Sequence, residues 1–276
     1  MPAIITRVPF ARQPQVPVGV DWSNPASIGL DFVALPNANS WSKIGRNISN
    51  PFSISAGSPV SGIGKYGRKV VYDSTAYHTS NGINPPPCTW IVIGEGSTSG
   101  SNCSLGGSGN GSENAERTQF DTYSGTPRSI VVNTAGSASV ATSTATALSS
   151  GEPFVAAFTV DATMATQVFF RDKKDIASSP GGSVGTYTVT RIGALAKSLS
   201  IAPYSNSIFA VMAWSVVLAD PVIWSMLNNP WQLFTPLSRK IWVPGATGSS
   251  GPALSDSTYV AGSLTSTGWR PQITAS

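Results

Sequence analysis

The sequence predicts an all-β protein: a two-sheet antiparallel jelly-roll sandwich with one short C-terminal helix and extended terminal arms. Three observations carry this. Only 11% of the 276 residues are charged while 41% are hydrophobic, where an ordinary globular domain has about a quarter charged. Short apolar runs alternate with turn residues along most of the chain, as in a protein of many short strands. The 27 Gly and 21 Pro punctuate those runs, without the proportion or period of a collagen or a disordered chain. Coiled coils and Glu/Lys-rich helical bundles are excluded on the same grounds, and one β domain of more than about 200 residues is an ordinary size.

Residues 1–18 contain Pro2, Pro9, Pro14 and Pro17. Proline fixes φ and removes an amide donor, so an extended arm is expected, lying along its own domain or reaching a neighbour. The sandwich is expected over 19–244, with strands at 29–34, 69–72, 89–93, 129–133, 154–160, 167–171, 185–192 and 207–217. Thr186-Tyr187-Thr188-Val189-Thr190 has the β-branched and aromatic content that a pleated surface favours. Between 94 and 111 Gly, Ser and Asn dominate. They have little to bury, so a long mobile surface loop is expected, exposing Gly96, Asn102, Gly107 and Asn110. The Ala/Ser/Thr stretch 134–150 reads either as a small-residue strand or as a loop. One helix is expected: Asp220 as N-cap, Pro221 at the first helical position, Ile223, Met226 and Leu227 on one face, and Asn228-Asn229-Pro230 as the stop. Residues 245–276 are small and polar and too few for a core of their own. In this tail Tyr259 and Trp269, and in the N-terminal arm Arg12 and Pro14, are expected to anchor the chain on another surface; the alternative for the tail is plain disorder.

No run of about 18 apolar residues occurs, so no membrane span is expected, and Met1 to Arg7 lacks the apolar core of an export signal. Cys88 and Cys103 are too few for a disulfide framework and suit folding in a reducing cytoplasm, with a bridge between them left open. The net charge of +4 is spread thinly. A nucleic-acid surface wants dense Lys/Arg with interleaved aromatics, whereas Arg171-Asp172-Lys173-Lys174-Asp175 is offset by acids and Arg239-Lys240 stands alone. Nucleic acid is therefore not an expected partner.

The chain is equally poor in catalytic groups. His78 is its one histidine, no G-x-S-x-G elbow accompanies it, and a packed or surface role is expected. A glycosidase needs two carboxylates flanking the scissile bond. The glutamates are Glu95, Glu113, Glu116 and Glu152, and Glu113-Asn114-Ala115-Glu116 reads as a solvated turn. Zinc wants four Cys or His ligands, more than the chain has. Calcium would draw on Asp21, Asp31, Asp73 or Asp121, but no D-x-D-x-D-G loop is present, so no cofactor is expected. Gly106-Gly107-Ser108-Gly109 has no following Lys-Ser/Thr to make a phosphate loop. The remaining resource is eight Trp, seven Tyr and ten Phe. Trp90 and Phe158 sit in strand runs and are expected in the core, whereas Trp41, Tyr66 and Tyr77 lie in loop-like context and are the candidates for contact with a glycan.

Several segments carry a family resemblance. Phe154-Val155-Ala156-Ala157-Phe158-Thr159-Val160-Asp161, followed by Gln167-Val168-Phe169-Phe170-Arg171-Asp172, resembles the adjacent H-V-A-x-T-Y-D and L-Y-V-D-G strands of laminin-G/concanavalin A-like jelly rolls. Cys88 to Ile93 is similar to the preceding strand of that fold, and Ser207 to Pro221 to its closing strand and helix. Asn229-Pro230-Trp231-Gln232-Leu233-Phe234 with Arg239-Lys240-Ile241-Trp242-Val243-Pro244, and at the other end Arg12-Gln13-Pro14-Gln15 with Val18 to Pro25, resemble the terminal segments of such domains in tailed-bacteriophage and prophage structural proteins. The resemblance spans roughly 12–244 and departs at Asp172-Lys173, where the family has an Asp-Gly turn.

The resemblance implies a non-enzymatic virion protein, assembled in the host cytoplasm. It would display a lectin-like sandwich for adhesion to host-surface glycan as a tail or fibre component, with other virion proteins and copies of itself as partners. The alternatives are a capsid-decorating protein, an enzyme acting on polysaccharide, and a soluble lectin.

Overall fold

The computed structural model describes residues 13–14, 18–37, 40–46, 51–72, 76–81, 85–97, 102–110, 116–194 and 207–236. The strands are β1 (Val18–Val20), β2 (Leu30–Asn37), β3 (Ser40–Gly45), β4 (Ser53–Ala56), β5 (Val60–Gly64), β6 (Gly67–Val71), β7 (Tyr77–Ser80), β8 (Cys88–Glu95) and β9 (Asn102–Gly109). They continue as β10 (Arg117–Tyr123), β11 (Thr126–Val132), β12 (Ala138–Thr142), β13 (Pro153–Val160), β14 (Thr166–Phe170), β15 (Lys173–Ala177), β16 (Val189–Ile192), β17 (Ser207–Trp214) and β18 (Phe234–Pro236), with α1 (Asp220–Asn228) after β17. Seven strands form one sheet in the order β12-β11-β10-β9-β16-β7-β4. Nine form the other, β15-β14-β13-β8-β17-β2-β3 with the β5–β6 hairpin attached through β17. The expected antiparallel sandwich is what the chain folds into.

Side-chain alternation explains the layering. From β17, Ile208, Val211 and Ala213 face the core between the sheets, while Phe209, Met212 and Trp214 enter a second cluster on the far side of the nine-stranded sheet. That second cluster is closed by Ile223 and Met226 of α1 and by Trp231 and Leu233. Both faces of β8 and β17 are therefore covered, and both strands read as unbroken apolar runs. In the central core Trp90 meets Phe32 edge-on at 5.8 Å and Phe120 at 5.2 Å, and Phe120 stacks on Phe158 at 5.0 Å. Trp90 and Phe158 are core residues, as expected.

The two terminal motifs meet. β1 pairs with β18, the Asp21 amide donates to the Leu233 carbonyl at 2.7 Å, and Asn24 Nδ2 donates to the Gln232 carbonyl at 3.0 Å. Each motif contains Asn-Pro, and each uses it identically: the Asn side chain accepts from the amide two residues on, Ala26 at 2.9 Å and Trp231 at 3.2 Å, while the Pro opens a single 3-10 turn. Asn229→Ala removes one such cap and is expected to lower stability by about 1 kcal/mol, read as a shifted denaturant midpoint with unchanged slope.

Three expectations need correction, and two readings left open are settled. Over its described residues, 94–97 and 102–110, the segment expected as an exposed loop is buried and mostly strand. β8 runs on to Glu95, and β9 lies inside the seven-stranded sheet between β10 and β16. Small residues are required there by close packing. A Cβ on Gly106 would sit 3.3 Å from the Trp90 ring, and one on Gly96 would sit 2.5 Å from the Ser149 carbonyl oxygen. The helix begins differently too: Ala219 is the N-cap with no side-chain bond, and the Asp220 carboxylate instead accepts from Lys174 Nζ at 2.6 Å. The strand expected at 185–192 is realised only as Val189–Ile192, and 134–150 contains β12. Cys88 and Cys103 are free; one begins β8, while the other lies 3.4 Å from Ser97 Oγ beyond that strand's far end.

Of the N-terminal arm, Gln13 is buried against its own domain. Its amide donates to the Tyr66 carbonyl and its Nε2 to the Phe209 carbonyl, both at 3.3 Å, and Pro14 beside it is half-buried. Arg12, Tyr259, Trp269 and the Arg239-Lys240 pair lie outside the described residues.

Candidate functional site

The seven-stranded sheet turns Phe120, Val131 and Ile192 into the core. Period-2 alternation then places Arg117, Gln119, Asp121, Arg128 and Arg191 on its outer face. Pairing register aligns them: Asp121 lies opposite Arg128 on one side and Ser104 on the other, and Gln119 lies opposite Gly107, which in turn lies opposite Arg191.

A chain of hydrogen bonds runs along this face. Arg117 Nε donates to Gln119 Oε1 at 3.1 Å, and Gln119 Nε2 donates to Asp121 Oδ2 at 2.5 Å. Arg128 grips both carboxylate oxygens of Asp121, Nε to Oδ1 at 2.8 Å and Nη2 to Oδ2 at 2.9 Å, while its guanidinium lies 4.8 Å over the Tyr123 ring. Across β9 the Arg191 guanidinium lies 5.1 Å over the Tyr77 ring. At Gly107 β9 offers no side chain on this face, so Arg191 and Gln119 stand two strand spacings apart, about 9–10 Å, with backbone between them. The buried hydroxyls Thr79 Oγ1 and Ser104 Oγ on this face lack hydrogen-bond partners among the described residues.

Burial sets the electrostatics. It pushes the Asp121 carboxyl above the usual carboxylate range, against the opposing pull of the Arg128 hydrogen bonds and charge, the Gln119 amide and the Arg117 charge. It lowers Arg117 and Arg191, with Tyr187 and Asp121 countering at the first and Tyr77 at the second. Gln119 and Asp121 are buried beneath this face, so what it offers a ligand is the partly exposed guanidinium groups of Arg117, Arg128 and Arg191 beside the Tyr77 and Tyr123 rings, groups suited to hydrogen-bonding a polyhydroxylated ligand. Asp121 is held by Arg128, and Glu95, Glu116 and Glu152 are bound elsewhere, to Lys69, Asn110 and Arg171.

The three aromatic candidates do not converge. Trp41 is buried between the sheets at 5% exposure, its indole Nε1 donating to the Tyr72 hydroxyl at 2.9 Å. That polar partner lets a tryptophan flanked by serines go inside, so Trp41 is not a surface contact. Tyr66 lies on the opposite side of the molecule, half-buried against Phe209 at 5.6 Å on the outer side of the nine-stranded sheet. Only Tyr77 belongs to the polar face.

Of the glycine-rich candidates, Gly96 and Gly107 are buried, Asn102 is paired in β9 opposite Tyr123, and Asn110 donates through Nδ2 to Glu116 and accepts from Thr188 Oγ1 at its carbonyl. Among the calcium candidates, Asp21 accepts from Ser23 and Asp121 from Arg128, and Asp73 and Glu113 lie outside the described residues. Among the described residues no three metal-ligating side chains gather. The candidate residues of this face that the sequence reading did not single out had a readable signal. In Arg117-Thr118-Gln119-Phe120-Asp121-Thr122-Tyr123 the large polar groups recur at every second position, the mark of a strand with one polar face.

No family model and no curated protein matches the chain. Solved structures do. Domain 4 of AbnA, a GH43 extracellular arabinanase from Geobacillus stearothermophilus, solved in complex with arabinotriose, superposes with a TM-score of 0.56 at 12% identity over 72% of this chain and 98% of that one. The binding domain of Paraclostridial Mosquitocidal Protein 1 gives 0.57 at 9% identity over 75% of this chain and 53% of that one. The binding domain of Botulinum Neurotoxin DC in complex with SialylT gives 0.54 at 11% identity over 75% and 52%. This chain thus spans about half the length of the two toxin binding domains. At these identities the likeness is one of fold, and the chain shares the β-sandwich of these domains.

Proposed function

We propose that this protein is a non-enzymatic, lectin-like sandwich that adheres to host-surface glycan as a tail or fibre component of a bacteriophage particle. The observation that carries the binding part is the polar outer face of the seven-stranded sheet, with its Arg117–Gln119–Asp121–Arg128 chain and its Arg191–Tyr77 stack. It is supported by a fold whose solved neighbours include a domain holding arabinotriose and a domain holding SialylT. The virion part rests on the resemblance of the segments at 12–25 and 229–244 to phage structural proteins. In this reading other virion proteins and copies of the chain are its partners.

The test is binding of the purified chain to an array of bacterial surface glycans, followed by titration of each hit. Arg191→Ala and Tyr77→Ala are expected to weaken binding about tenfold or more, the size of a lost charged hydrogen bond, while Tyr66→Ala on the opposite side leaves it unchanged. Failure to bind any such glycan, or binding indifferent to both face variants, overturns the adhesive role. Imaging of the particle assigns location: density at the tail supports the fibre reading, and density on the capsid replaces it with decoration.

A further inference from the structure

Along their main strand orders the two sheets end at four strands: β12 and β4 close the seven-stranded sheet, β15 and β3 the nine-stranded one. An open edge strand is a template for another chain, and proteins guard against this with charges, proline or a bulge. Three of the ends are guarded. β15 carries Lys173, Lys174 and Asp175, β3 carries Lys43, and the pairing of β4 with β7 shifts register between Ile54 and Ala56.

β12 has no such guard. Ala138-Ser139-Val140-Ala141-Thr142 contains no charge and no proline, and it pairs with β11 without a register shift. Among the described residues no main-chain group of 138–142 bonds outside β11, so those aimed away from β11 stand open along the rim. The alternation is regular: Ser139 and Ala141 are buried, while Ala138, Val140 and Thr142 are exposed on the outer face. Val140 is 43% exposed beside the buried Ile130 that lies opposite it. The strand is also fixed from behind. Ser139 Oγ donates to the Ser178 carbonyl at 2.5 Å, and just beyond the strand Thr144 donates from its amide and its hydroxyl to the Asp175 carboxylate at 2.9 and 2.8 Å. An edge already held in place loses little freedom on pairing.

We propose that β12 is a self-association edge, pairing antiparallel with β12 of a second copy about a two-fold axis between the two Val140 residues. In that register Val140 meets Val140 of the copy, Ser139 meets Ala141 and Ala138 meets Thr142. Every pair is uncharged and small or β-branched, so nothing repels and the exposed valines cover each other. A proline-rich segment such as 1–18 fits less well, because Pro2, Pro9, Pro14 and Pro17 lack the amides a ladder needs. An isologous two-fold contact is the commonest way for copies of one chain to meet.

The axis stands perpendicular to the sheet, so both copies keep their outer faces on one side. Two seven-stranded sheets become one of fourteen strands, and the two Asp121 residues on β10 lie five strand spacings apart, about 24 Å. The inference rests on the reading that copies of the chain are partners and uses no property of the glycan. Where adhesion holds as well, the paired faces meet a repeating polysaccharide at two points, the second contact being made at raised effective concentration.

Five residues a side fall short of the roughly 1,200 Å² of a stable complex, so a dissociation constant in the micromolar range or weaker is expected. Sedimentation equilibrium of the full chain, from micromolar to millimolar concentration, should show a monomer–dimer equilibrium. Val140→Lys, at an exposed position, sets like charges against each other at the axis and is expected to weaken the dimer about tenfold. Ile176→Lys, equally exposed but on the guarded β15 edge, leaves it unchanged. Val140→Cys is expected to cross-link copies under mild oxidation, since directly opposite Cβ atoms lie about 4.5–5.5 Å apart, whereas the native Cys88 and Cys103 are buried. A chain that stays monomeric throughout, a dimer indifferent to Val140→Lys, or one that Ile176→Lys weakens equally overturns the proposal. Copies that touch in the imaged particle only through another surface also overturn it while keeping copies as partners. A β12 dimer that binds no glycan supports this edge and overturns adhesion alone.

Discussion

Asp121→Ala is expected to lower stability by about 3–5 kcal/mol, the range for removing one partner of a buried ion pair. The variant deletes a fully buried carboxylate that accepts from Gln119 and twice from Arg128. It leaves the Arg128 guanidinium, with 14% of its side chain exposed, facing an apolar methyl in place of its anion. Asp121→Asn should cost less, because one carbonyl oxygen still accepts. Replacing both partners with apolar residues, Asp121→Leu with Arg128→Met, should recover much of the loss, since the deficit comes from the stranded charge more than from the lost attraction. Urea denaturation of the unaltered protein, Asp121→Leu, Arg128→Met and the double variant gives the cycle. A single Asp121→Ala loss under about 1 kcal/mol would show that Arg128 swings to solvent and that the pair is not a fixed part of the sheet. In that event the outer face is not preorganised, and the glycan titrations should show weak binding that Arg191→Ala barely changes.

The sandwich was legible because its evidence is local. Phe154 to Val160 and Ser207 to Trp214 are apolar and β-branched over a strand's length, and β13 and β17 occupy those positions. The polar face was half-legible: the alternation in β10 is in the sequence, but that Arg191 stands across Gly107 from Gln119 depends on pairing between strands more than 70 residues apart. Trp41 was misplaced for a similar reason. Its burial depends on a hydroxyl at Tyr72 and an imidazole at His78 that no local pattern announces. The helix cap failed because Asp220 had a second possible partner, Lys174, supplied by the sheet. β9 failed most instructively. Composition measures what a segment can bury with its own side chains, whereas β9 is held by backbone ladders on both edges and by what its neighbours place against it.

That distinction makes Gly107 the second critical position. Its φ is +154°, and a Cβ there would run into the backbone of Thr118 and Gln119 on β10. Because the obstacle is main chain in a paired strand, no rotamer change relieves it, and either β9 or β10 must move. Gly107→Ala is expected to destabilise by about 3 kcal/mol or more, combining the strain of an unfavourable φ with overpacking in a closed interior. Gly136 provides the control: its φ is +80°, but its Cβ would meet nothing within 4 Å. Gly136→Ala should therefore lose only the backbone part, about 1 kcal/mol. If glycine were present in β9 for the mobility that its composition suggests, the two substitutions would cost the same. A threefold gap in thermal unfolding would instead mark Gly107 as a packing residue. The same contact holds β10 against β9 and so keeps Gln119 and Asp121 in register with Arg191, and for that reason Gly107→Ala should also abolish glycan binding at temperatures where the variant is still folded.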